Sequence, residues 1–243
     1  MTTIESNLQG VRQRLERACA AAQRDVRGVT LLAVSKTFGP EDVAEAVAAG
    51  QRAFGENYVQ EGVEKVLALR GMVSGVALEW HCIGPLQSNK TRLVATHFDW
   101  VHSVDRLKIA QRLSEQRPAD MGPLQVCLQV NIDGGANKAG VTPDALGELA
   151  RAVAALPGLR LRGLMSIPEP SDDPAVQRML FRRVRELFDR LNAEGLAMDT
   201  LSMGMSDDLE AAVAEGSTLV RVGRAVFGYR PRKAPPVTSS PAP

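Results

Sequence analysis

A lysine at the end of an apolar run is the sharpest chemical feature of this 243-residue chain: Lys36 stands one residue beyond Leu31-Leu32-Ala33-Val34. Partial desolvation there lowers the pKa of an amine, so its neutral form can attack an aldehyde. A lysine whose head escapes to solvent at a strand end fits the same position. Ser206 and Gly223 follow two later apolar runs, where backbone N–H groups and a helix N-terminus make an anion site. The plainer readings are an N-cap serine and a turn glycine. His81 ends another run. It can serve a ligand by stacking or hydrogen bonding, or be a satisfied core histidine. Asn57, Met165, Arg221 and Arg224 stand at the remaining ends of interest. Asp207 and Asp208 look like paired carboxylates, but first-turn acids beside a helix dipole explain them better than acid–base catalysis. His97 and His102 read as structural. Such a set is rich in amides, hydroxyls and cations. It holds no group of His, Cys and carboxylate side chains suited to a metal. An anionic small ligand therefore fits better than metal-assisted hydrolysis.

These residues need a frame that brings strand ends together. Eight short apolar runs read as strands: Thr30–Ser35, Ala53–Gly55, Leu78–Ile83, Trp100–Ser103, Leu124–Asn131, Arg160–Met165, Thr200–Met203 and Leu219–Val222. Helical periodicity fills the gaps over Glu41–Ala49, Asp105–Gln116, Pro143–Ala155, Ala175–Glu194 and Asp207–Glu215. Pro40, Gly50, Gly195 and Gly216 supply starts and stops. An amphipathic helix over Ile4–Arg24 precedes them all. Strands separated by helices imply a parallel sheet. Eight such units without a long insertion predict one closed (β/α)8 TIM barrel over residues 1–230, not an open doubly wound sheet. Barrels of this kind take about 250 residues and place reacting groups at the C-terminal strand ends. Residues 231–243 hold five prolines and little that can pack, and are expected to be disordered.

Composition excludes several alternatives. Net charge is +1, with 44% hydrophobic and 23% charged residues, which gives no basic surface tuned for nucleic acid. Cys19, Cys82 and Cys127 are scattered and odd in number, which points to buried thiols rather than disulfides or zinc. The first 23 residues carry charges throughout, unlike a signal peptide, and no stretch is long enough to span a bilayer. A cytoplasmic setting is expected. GxGxxG after the first strand, GxxxxGK[ST], HExxH and GxSxG are all missing.

The motifs Ala33-Val34-Ser35-Lys36-Thr37, Phe54-Gly55-Glu56-Asn57-Tyr58-Val59-Gln60-Glu61 and Trp80-His81-Cys82-Ile83-Gly84-Pro85-Leu86-Gln87-Ser88-Asn89-Lys90 carry a resemblance. Gly163-Leu164-Met165-Ser166-Ile167, Leu201-Ser202-Met203-Gly204-Met205-Ser206-Asp207 and Val220-Arg221-Val222-Gly223 extend it. From about Leu8 to Tyr229 the chain resembles the pyridoxal phosphate homeostasis proteins, the YggS/PROSC group. The resemblance implies a barrel like the N-terminal domain of alanine racemase, with a fold type III-like site for pyridoxal 5′-phosphate (PLP). It implies PLP as a Schiff base on Lys36, with Asn57 near the ring; His81 and Met165, by their positions at strand ends, are also expected to bind the cofactor. Ser206 and the backbone of Gly223 and Arg224 would meet the phosphate, and Arg221 the pyridine nitrogen. Two departures stand out. Arg224 replaces the family's usual Thr or Ser, and the loop near Gly135–Ala136 lacks its usual Glu, although Lys138 and Gly140 remain.

Racemases of this barrel type need a second acid–base group facing the lysine, generally a tyrosine from another domain. Only Tyr58 and Tyr229 occur here. The expected function is therefore a monomeric PLP carrier without robust catalysis, which binds, buffers and hands PLP to apo-enzymes. The alternative is an amino-acid racemase using His81 or Lys138 as the base. A third reading is an interaction module with structural PLP.

Overall fold

The computed structural model describes residues 2–135 and 139–229. Eight parallel strands close into a barrel in sequence order, each paired with the next and the last with the first. They are β1 Thr30–Val34, β2 Ala53–Glu56, β3 Glu79–Cys82, β4 Trp100–Val104, β5 Leu124–Gln129, β6 Leu159–Met165, β7 Thr200–Ser202 and β8 Leu219–Val222. Each expected strand exists, with ends that differ by no more than two residues. Residues 136–138 and 230–243 lie outside the described residues, so the expectations for Lys138 and for the tail fall there.

Nine helices are described: α1 Thr3–Ala21, α2 Pro40–Ala48, α3 Val59–Met72, α4 Thr91–His97, α5 Leu107–Gln116, α6 Pro143–Ala154, α7 Pro174–Ala193, α8 Leu209–Ala214 and α9 Arg224–Phe227. Local chemistry sets their ends. A capping box of Thr2 and Glu5 opens α1. Pro40, Pro143 and Pro174 each stand in a first turn, where the missing N–H costs nothing. Gly50, Gly195 and Gly216 follow helix ends at positive φ.

Period-two alternation divides the strands between two cores. Ala33, Phe54, Trp80, Val101, Val126, Leu128, Leu201, Val220 and Val222 face the helices and form the main cluster. The alternating residues face the barrel interior. Leu32, Val34, Ala53, Ile83 and Leu219 pack there as one small cluster, and Trp100, Cys127 and Met165 as another. The rest of the interior is polar: His81, His102, Ser202 and Arg221 are all buried. Gly163 lets β6 close on β7, because a Cβ there would run into the Thr200 carbonyl oxygen. No helix among the described residues is long and apolar enough to cross a membrane.

Candidate cofactor-binding site

The C-terminal strand ends open into a cavity of 620 Å³. Lys36, Asn57, Ser206, Arg221, Gly223 and Arg224 line it, with Val34, Phe38, Ile83, Ile167, Met205, Gly228 and Tyr229. Six of the eight expected cofactor residues therefore converge on one space. No carboxylate is among the described lining residues.

Buried charge fixes the backbone around Lys36. The Lys65 ammonium of α3 donates to the Ser35 carbonyl at 2.7 Å, to Glu56 Oε1 at 2.8 Å and to Glu61 Oε1 at 2.7 Å. Ser35 Oγ donates to the same Glu56 oxygen at 2.6 Å. On the other side of Lys36, Thr37 adopts a φ of 72°, a left-handed conformation rare for a β-branched residue. Its N–H donates to Glu61 Oε1 at 2.5 Å, which holds it there. Strain of this kind costs about 1–3 kcal/mol and persists only where the surroundings impose it. Burial pushes the Glu56 carboxyl above its usual range, and Lys65 offsets this only in part. Nothing in the sequence reading named this cluster. Its signal was a lysine four residues after Glu61, among the apolar positions Val63, Val66 and Leu69.

Asn57 follows β2, and Gly84 permits the close approach of the β3–α4 loop to it: a Cβ at 84 would collide with the Asn57 carbonyl. The Asn57 Oδ1 atom is buried and has no hydrogen-bond partner among the described residues. Such an acceptor costs about 1–3 kcal/mol unless a ligand or water satisfies it.

The far wall is positioned by α1. Arg14 donates to the Ser206 carbonyl at 2.6 Å and pairs with Glu210, while Asn7 donates to the Val226 carbonyl at 3.0 Å. Asp208 Oδ1 accepts the Met205 N–H at 2.6 Å, bracing the loop before Ser206. Asp207–Glu215 was expected to be helical with two first-turn acids. Helix α8 begins only at Leu209, so Asp208 is the N-cap and Glu210 the first-turn acid. Gly223 precedes α9 at the pocket wall, where the first N–H groups of a helix lack intrahelical carbonyl partners. Arg224 lies 5.9 Å from the Tyr229 ring centroid.

Arg221 forms part of the floor. One nitrogen, Nη1, donates to the Ser202 carbonyl at 2.6 Å and to Ser202 Oγ at 2.8 Å; the other, Nη2, donates to the Ser166 carbonyl at 2.9 Å. Burial pulls its pKa down to about 10, with Asp208 acting in the opposite direction. It remains a cation near neutrality.

Two expected site residues are placed elsewhere. His81 faces the barrel interior below the cavity, fully buried, because β3 runs on through Cys82 and the cavity lining beyond this strand begins only at Ile83. Met165 is also fully buried and packs with Trp100 and Cys127. The three cysteines are buried, as expected, and burial pushes Cys82 and Cys127 up to about 12.

A lysine cavity with an anion-accepting wall, at the C-terminal mouth of a closed parallel barrel, defines a class of cofactor-binding α/β barrel. The chain belongs to the alanine racemase N-terminal domain family, whose model matches residues 6–231. Among curated relatives, the pyridoxal phosphate homeostasis protein of Pseudomonas aeruginosa is 58% identical over 235 residues, covering 97% of this chain and 99% of that one. Among solved structures, PipY of Synechococcus elongatus PCC7942 with PLP bound is 37% identical with a TM-score of 0.80, covering 93% of this chain and all of that one. The alanine racemase of Corynebacterium glutamicum shares the fold at 20% identity and a TM-score of 0.66, covering 92% of this chain and 59% of that one.

Proposed function

We propose that this protein binds pyridoxal 5′-phosphate at the C-terminal mouth, joined covalently to Lys36 Nζ, and serves PLP homeostasis without robust catalysis. The observation that carries this is the convergence of Lys36 with Ser206, Arg221, Gly223 and Arg224 on one cavity with no carboxylate among its described lining residues. The residues fit the group. The Arg224 cation and the Ser206 hydroxyl suit a phosphate ester. The orphaned Asn57 Oδ1 is an acceptor awaiting a donor. PLP supplies an aldehyde and an electron-accepting ring when bound. Lys36 Nζ would hold the aldehyde carbon as an imine, with water as the leaving group, and Ser206 with the start of α9 would hold the anion.

Arg221 and the open mouth support a carrier over an enzyme. A guanidinium only donates, so a pyridine nitrogen facing Arg221 stays unprotonated and accepts electrons poorly. His81 is withdrawn into the barrel with both ring nitrogens engaged. Tyr229 is the one observation that favours a second reading, residual racemase-type exchange, because it lines the cavity at its mouth. At 87% exposure, however, it is poorly fixed for proton transfer. Three buried, unpaired cysteines support a reducing cytoplasm as the setting. We infer a monomer that passes PLP to apo-enzymes.

The test is the absorbance spectrum of PLP-loaded protein before and after borohydride, repeated with Lys36→Ala. The proposal expects a visible band that borohydride bleaches and that the variant lacks. No band after added PLP overturns the binding claim. Rapid Cα–H exchange of amino acids in deuterated water, lost in Lys36→Ala and in Tyr229→Phe, overturns the carrier claim.

A further inference from the structure

The carrier function leaves two buried histidines unused, and both belong to one continuous line of contacts through the barrel. Arg221 Nη1 donates to Ser202 Oγ at 2.8 Å. Ser202 Oγ lies 2.8 Å from His102 Nδ1, His102 Nε2 lies 2.8 Å from His81 Nδ1, and His81 Nε2 lies 2.8 Å from Glu79 Oε1. Both imidazoles and Ser202 are fully buried, whereas the Glu79 side chain is about half exposed, at 49%, at the opposite mouth.

The two ends fix the sense of the chain. A guanidinium can only donate and an ionised carboxylate can only accept. Ser202 Oγ therefore accepts from Arg221 and turns its own proton to His102 Nδ1. A neutral His102 then carries its proton on Nε2 and donates to His81 Nδ1, and His81 Nε2–H donates to Glu79. Every donor points towards Glu79, and each group gives and takes one hydrogen bond along the line. Desolvation first, with the Arg221 charge beside it, holds His102 well below the usual histidine range, which keeps it neutral. The hydrogen bond from His81 holds Glu79 below the usual carboxyl range. The charged or titratable groups around the line are Arg221 and Cys127 above, and Asp99, Arg162 and Glu79 itself below. Gaining a second proton at His81 would reverse the His81–His102 bond, put the His102 proton on Nδ1 and leave the Ser202 hydroxyl without its acceptor.

We propose that Glu79, His81, His102 and Ser202 act as one directional hydrogen-bond chain that positions Arg221 and carries the charge of the far mouth to the floor of the cofactor cavity. The four are positioning residues, none of which lines the cavity. The inference rests on the proposed PLP site only for what Arg221 faces; the chain itself is a property of the protein alone. Hydrogen bonds in such a line polarise one another, so an anion at one end strengthens the acceptor at the other.

Two measurements test it. Side-chain nitrogen NMR on the ligand-free protein should show His81 and His102 both protonated on Nε2 at neutral pH. A proton on His102 Nδ1 overturns the chain whether or not PLP binds. In the PLP-loaded protein, Glu79→Gln keeps an acceptor for His81 but removes the charge. The pH profile of the visible band should then move down by a few tenths of a unit, as weaker acceptance at Ser202 leaves the guanidinium charge less offset. Asp199→Asn removes a charge at the same mouth that belongs to Arg162 instead, and should leave the profile in place. An unmoved profile in Glu79→Gln, or an equal shift in both variants, overturns the coupling. If the wild type forms no band, the cofactor reading fails and the nitrogen spectra still decide the chain.

Discussion

At the N-terminal mouth of the barrel, charge meets charge. Glu79 accepts from His81, Arg162 is bonded to both Asp199 oxygens and lies 4.7 Å from the Trp100 ring centroid, and Gln125 accepts from the same guanidinium at 2.9 Å. At the C-terminal mouth, Lys36, Arg221 and Arg224 border a cavity with no carboxylate among its described lining residues, and the Asn57 acceptor has no donor among the described residues. Both mouths of a parallel barrel offer similar backbone. The difference is that the N-terminal mouth matches its cations with carboxylates of the protein, whereas the described lining of the C-terminal mouth gathers cations without one and leaves the Asn57 oxygen without a donor. Side-chain changes at the closed mouth should therefore cost stability and spare the ligand, and changes at the open mouth should do the reverse.

Gly163→Ala should have the largest effect. The new Cβ meets the Thr200 backbone rather than a movable side chain. A loss of roughly 4 kcal/mol or more in urea denaturation is expected, or failure to fold. A mild loss would mean that β6 and β7 can part without opening the barrel.

Lys65→Met comes next, because its cluster joins the two kinds of region. It removes the partner of the fully buried Glu56, a change that costs about 3 kcal/mol. The pH dependence has a definite sign. Glu56 already titrates above its ordinary value, and losing Lys65 raises it further. A carboxyl with a raised folded pKa contributes stability at low pH and loses it as pH rises through that value. The deficit should be greater at about pH 8 than at about pH 5, and Glu56→Gln in the same chain should recover most of it. A deficit that shrinks with pH would contradict the ion-pair account.

Asn57→Ala should split the two quantities. Removing an unsatisfied acceptor leaves stability level or slightly higher, while PLP affinity falls about tenfold, equivalent to about 1.4 kcal/mol. Equal losses in both would show that Asn57 is structural. Arg224→Thr should do least: stability unchanged, and PLP affinity reduced about threefold at low salt, with the gap closing as salt screens the exposed cation.

Much of this was legible in the sequence. Alternating apolar runs gave all eight strands, since a closed parallel barrel leaves each strand covered on both faces. Six of the residues expected at the cofactor line one cavity because they stand at or just beyond the ends of such runs, where this fold displays its reactive groups. The failures have physical causes. Helix α3 begins at Val59, inside a motif read for chemistry, and α4 spans only Thr91–His97. His81 and Met165 were placed at the mouth, but depth along a barrel depends on register between strands, and one residue turns a side chain from the wall to the interior. The Lys65 cluster depends on a helix returning over β1, a long-range contact that no local pattern announces.

The central claim is that Lys36 is the residue that holds the cofactor covalently. The most direct measurement is peptide mapping by mass spectrometry after loading with PLP and reduction with borohydride. The account predicts one stable pyridoxyl-phosphate adduct, on the peptide carrying Lys36. An adduct distributed over several lysines, or concentrated on another one with Lys36 unmodified, would contradict it.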